Sequence, residues 1–95
     1  MEEKGFRQLR VDPEFKNLIP PLRREEYRQL ELNLVMEGCR EDIIVWNDTI
    51  VDGHNRYEIC NKLQIPYGVK ELAFSSRAAV IVWICSNQLG RRNIS

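Results

Sequence analysis

Gly53, His54, Asn55 and Arg56 stand together where an apolar run breaks on Asp52. Arginine brings a charged fork of donors, asparagine and histidine can donate beside it, and glycine lets a backbone approach a ligand closely. At the head of a helix, where unpaired amides and roughly half a positive charge gather, such a set makes a pocket for a phosphate. A plainer reading fits the same letters, with Asp52 as a helix cap and Arg56 as a solvated surface charge. A second set, Asn87, Gln88, Arg91 and Arg92 around Gly90, ends a strongly apolar segment. Cations near a helix C-terminus would explain that set on its own. Two glycine-punctuated basic clusters in one small chain favour an anion site.

The elements that must position these residues follow from pattern and punctuation. Tyr57, Cys60 and Leu63 give the first cluster a helix with a buried face behind it. Ahead of it, "IIVW" (43–46) and "TIV" (49–51) flank Asn47-Asp48, a two-residue hairpin turn. Gln8 to Val11 alternates as a short strand, and Asp12-Pro13 begins an irregular passage reaching Pro20-Pro21. The paired prolines open a helix in which Glu25 and Glu26 complement the dipole, Tyr27, Leu30 and Leu34 form the face that packs on a sheet, and Gly38 ends it. Pro66 marks a turn before a strand near Val69 to Leu72. "AAVIVWIC" is β-branched enough for a strand, but Ser75-Ser76 caps and an unbroken run to Gly90 predict a buried helix. The order strand, helix, hairpin, helix, strand, helix is an α/β (α+β) domain, a small mixed sheet with packed helices.

Composition narrows the partners. A chain of 95 residues makes one domain, and 14 Lys plus Arg balance 14 Asp plus Glu. Zero formal charge argues against a chain-wide attraction to nucleic acid, so any anion site is local. The longest uncharged apolar stretch, Ala78 to Cys85, is far short of the ~18 residues that cross a bilayer. A cytoplasmic, membrane-free protein is expected. Cys39, Cys60 and Cys85 show no metal-ligand spacing and are expected to be buried free thiols.

Gly-His-Asn-Arg-Tyr after a hairpin, preceded by "MEGCREDIIVW" and followed by an apolar helix into "NQLGRRNIS", resembles the N-terminal domain of the ParB family, with its ParB/sulfiredoxin-like fold. The resemblance runs from about Gln8 to Ile94. Such domains carry a glycine-acid-Arg-Arg motif and a later Glu-Asn-x-x-Arg motif. The two bind a nucleoside triphosphate with magnesium, CTP in the chromosome-partition proteins. The resemblance places Gly53 and Arg56 on the first motif and Arg91 on the second. His54 stands where the acid is usual, Asn55 where the first arginine is usual, and Asn87-Gln88 where Glu-Asn is usual. An amide is a weak neutral ligand for a hard cation, so binding is better supported than hydrolysis, and no protein metal site is assigned. The implied function is a nucleotide-binding switch of a ParB-like DNA-partition or mobile-element protein, plasmid or phage borne. Its phosphate-binding residues would be Gly53, His54, Asn55, Arg56, Asn87, Gln88, Arg91 and Arg92. The implied partners are a nucleotide, a second copy in a homodimer, and DNA through a following domain of a longer parent.

Three other activities would draw on some of the same residues. A module gripping the DNA backbone through the two basic turns is the alternative to nucleotide switching. Sulfiredoxins place a catalytic cysteine in this loop, where the chain has His54; Cys60 lies six residues on and on the apolar face. Nuclease-like domains need converging carboxylates. The chain offers Asp48, Asp52 and Glu58, of which Asp48 suits a turn and Asp52 a cap.

Overall fold

A computed structural model describes residues 4–92, with side chains through Gln88. Its elements are α1 (Pro13–Asn17), α2 (Arg24–Glu37), β1 (Ile43–Trp46), β2 (Thr49–Asp52), α3 (His54–Leu63), β3 (Val69–Glu71) and α4 (Arg77–Arg92). The sheet order is β2-β1-β3, with β1 antiparallel to β2 and parallel to β3, so the expected small mixed sheet with packed helices is present.

The hairpin forms as its turn chemistry dictates. Asn47 and Asp48 both take positive φ, 50° and 61°, the backbone that a tight two-residue turn demands and that Asn and Asp tolerate. Strand alternation then divides the core between the two faces of the sheet. Ile43, Val45 and Ile50 join Leu34, Cys39, Ile59, Cys60 and Tyr67 on one side. Val51 joins Phe15, Val80 and Ile84 on the other, with Ile44 and Trp46 partly buried there. The sheet is thus sandwiched, α2 and α3 against one face and α1 and α4 against the other.

Both long helices expected from the apolar pattern are observed, although α2 starts at Arg24, so Pro20-Pro21 precede it and do not sit in its first turn. Leu34 is buried on α2, with Tyr27 and Leu30 packed beside it. In α4 the Ala79 amide donates to Ser76 Oγ at 3.2 Å, the cap that lets a β-branched run remain helical. The helix continues through Gly90 to Arg92.

Four further expectations require correction. Residues 8–11 make no named strand, because their backbone groups are claimed singly. The Leu9 amide donates to the Tyr57 hydroxyl at 3.0 Å, and Arg10 forms one isolated bridge with Thr49. The passage after Asp12 is not irregular throughout: α1 starts there, with the Asp12 carboxylate accepting from the Glu14 and Phe15 amides and Pro13 in the first turn. On α3 the buried positions are Ile59 and Cys60, Tyr57 is partly buried, and Leu63 is exposed. Cys85 is also exposed; it lies one residue past Ile84, which turns it off the buried stripe of α4.

Candidate functional site at the head of the third helix

Gly53 connects β2 to α3 with φ +104°, a conformation that favours glycine. A Cβ there would lie 3.1 Å from Arg56 Nη2 and 3.2 Å from Ile43 Cδ1, so bare backbone is needed on two counts. Gly53, not Asp52, occupies the capping position, which corrects the expected cap. The first helical hydrogen bond runs from the Tyr57 amide to the Gly53 carbonyl at 2.8 Å. The amides of His54, Asn55 and Arg56 therefore lie ahead of the helical ladder, at its positive end.

Arg56 is not a solvated surface charge, for its side chain is only 14% exposed. Nη1 lies 3.3 Å from Glu41 Oε2, Nη2 lies 3.7 Å from Asp52 Oδ2, and Nη2 also donates to the Asp42 carbonyl at 3.3 Å. Its buried Nε has no hydrogen-bond partner. Both ring nitrogens of His54 are likewise buried without a partner. Burial, and then the nearby Lys16 cation, push the His54 pKa below its ordinary value, against a smaller opposing pull from Asp52 and Asp12. The ring is therefore neutral near pH 7, with one nitrogen able to donate and the other to accept.

These residues line a cleft of about 560 Å³. Gly53, His54, Asn55 and Arg56 form one wall, and Gln88 reaches it from α4, so the first cluster meets part of the second. Asn87 is half-buried and is not among the lining residues; the side chains of Arg91 and Arg92, in the last turn of α4, lie outside the described residues. Sequence reasoning missed the opposite wall. Lys16 and Asn17 of α1, the Ile19–Leu22 connector, and Glu26, Tyr27 and Leu30 of α2 supply it. The signal was present in Asp12-Pro13-Glu14, an N-cap, a first-turn proline and a first-turn acid, which together announce a helix.

Of the carboxylates a nuclease would need, Asp52 lines the cleft, 3.7 Å from Arg56 Nη2, but Asp48 and Glu58 do not converge on it. Asp48 sits in the hairpin turn and pairs with Arg7, while Glu58 accepts from the Tyr27 hydroxyl at 2.6 Å. Among the described residues no group of three His, Cys, Asp or Glu side chains could hold a metal ion. Cys60 is fully buried, and burial together with Cys39 pushes its thiol up to about 12, far from a nucleophile's range. No helix among the described residues is long and apolar enough to cross a membrane.

Neither a protein-family model nor a curated protein matches the chain. Its fold has a solved counterpart, described as a Pnob8-like ParB-N domain, with a TM-score of 0.79 and 25% sequence identity. The superposition covers 100% of this chain and 40% of the counterpart, so the chain spans well under half of that protein's length. The chain has the fold of a ParB-N domain over its whole length.

Proposed function

We propose that this domain binds a nucleoside triphosphate, CTP-like, in the cleft at the head of α3, and serves as the nucleotide switch of a ParB-like partition or mobile-element protein. The observation that carries the reading is the meeting, in one cleft of about 560 Å³, of the Gly53 turn, Arg56, Lys16 and a His54 ring with two unpartnered nitrogens. That volume lies within the range of small-molecule sites, roughly 300–1,000 Å³. Gly53, Arg56 and the first-turn amides of α3 take the phosphates, and His54, Asn55 and Gln88 adjust them. The family resemblance would add Asn87, Arg91 and Arg92, from the end of α4, to the phosphate-binding residues. Magnesium arrives with the triphosphate and is held mainly by its oxygens, as suits a cation that keeps several waters. Turnover is slow or absent, because His54 and Asn87 stand where carboxylates would assist it. In the parent protein, occupancy reshapes a homodimer interface while another domain reads DNA.

Isothermal titration of the four ribonucleoside triphosphates, with and without Mg²⁺, tests the reading. Saturable binding of one of them, beside only weak, salt-sensitive binding of duplex DNA in the ~10⁻⁴–10⁻⁶ M range of non-specific complexes, supports it. No nucleotide binding, together with tight DNA binding by residues 1–95, would favour the DNA-backbone module instead.

A further inference from the structure

Arg56 is held from behind the cleft. Glu41 and the Asp42 carbonyl, two of its partners, belong to the connector between α2 and β1, and neither residue lines the cleft. The two ends of the Arg56–Glu41 pair differ sharply in freedom. Arg56 is 14% exposed, whereas the Glu41 side chain is 71% exposed and can swing into water at little cost. The connector's backbone is pinned independently, by Cys39 Sγ donating to the Glu41 carbonyl at 3.3 Å and the Ile43 amide donating to the Gly68 carbonyl at 2.9 Å. The carboxylate can therefore release while its backbone stays in place.

We propose that Glu41 is a holding counter-ion for Arg56. In the free domain it shares the guanidinium's charge with Asp52 and draws Arg56 toward the connector, and an anion entering the cleft competes with Glu41 for its share. This rests on the reading of the cleft as a polyphosphate site. It gives the domain a built-in restraint: a ligand must offer more to Arg56 than an exposed carboxylate does, and its arrival frees Glu41 on the far side of the guanidinium.

The test is calorimetric binding of inorganic tripolyphosphate to the wild-type domain, E41Q and E37Q. Glu37 is a matched control, since it is exposed, lies nearby, and pairs with Arg40 at 3.8 Å rather than with Arg56. E41Q should bind about two- to fivefold more tightly, the range set by an exposed ion pair, while E37Q stays near wild type. Equal or weaker binding by E41Q overturns the proposal, as does equal tightening by E37Q, which would reduce the effect to net charge. Wild type that tightly binds tripolyphosphate while E41Q gains nothing sinks the restraint alone. No binding by any of the three sinks the cleft reading and the restraint with it.

Discussion

Gly53→Ala tests whether the head of α3 is built as described. The substitution places a side chain at φ +104°, a conformation that L-residues adopt at a cost of about 1–3 kcal/mol. The new Cβ would also meet Arg56 Nη2 at 3.1 Å and Ile43 Cδ1 at 3.2 Å. Ile43 is fully buried between strand and helices and has nowhere to retreat, so the guanidinium, the end of a flexible side chain, is the atom group that yields. Part of the cost is offset because alanine restricts the unfolded chain, by about 0.4–1 kcal/mol. For a domain of this size the net loss should lower Tm by several degrees and by as much as about 20 °C. Because Arg56 must shift, triphosphate affinity should fall in the same variant. Thermal unfolding followed by circular dichroism measures the first effect and calorimetry the second. An unchanged Tm would refute the assigned backbone at Gly53, and unchanged affinity at a lowered Tm would refute the coupling of Gly53 to Arg56.

Further outcomes follow from the neighbouring groups. Arg56→Ala removes a charged donor worth roughly 1.5–3 kcal/mol, so triphosphate affinity should drop by about one to two orders of magnitude in calorimetry. His54 has a depressed pKa, so below the ordinary value of 6.5 the unfolded chain binds more protons than the folded one. Its contribution is therefore intact above pH 6.5 and lost as pH falls below it, and the difference in Tm between wild type and His54→Gln should shrink or reverse on acidification. In the native protein a thiol reagent should modify Cys85 rapidly and leave buried Cys39 and Cys60 until the chain is unfolded. Fast native labelling of Cys60 would contradict its placement.

The parts legible in the sequence were those governed by local rules. Asn47-Asp48 announced its turn because few residues accept two successive positive φ values. Ser76 announced α4 against the strand preference of a valine- and isoleucine-rich run. Residues 8–11 failed because alternation shows that a segment can extend, while the Tyr57 hydroxyl and the hairpin backbone at Asp48 and Ile50, far away in sequence, decide what its backbone bonds to. Of the residues that line the cleft, Gly53 to Arg56 and Gln88 were singled out by residue type. The residues from Lys16 to Leu30 were not: Asp12-Pro13-Glu14 announces α1, but that α1 and α2 meet at this cleft is decided by packing and carries no motif. The burial of Arg56 was equally hidden, for it depends on Glu41 and Asp42, which meet it only after α3 folds back beside β1.

The most direct measurement of the central claim is an amide chemical-shift titration of ¹⁵N-labelled domain with the best-binding ribonucleoside triphosphate and Mg²⁺. The account predicts that the largest saturable shifts fall on Gly53, His54, Asn55 and Arg56, with accompanying shifts at Lys16 and Gln88 across the cleft. Shifts centred on another surface while Gly53 to Arg56 stay still would contradict it.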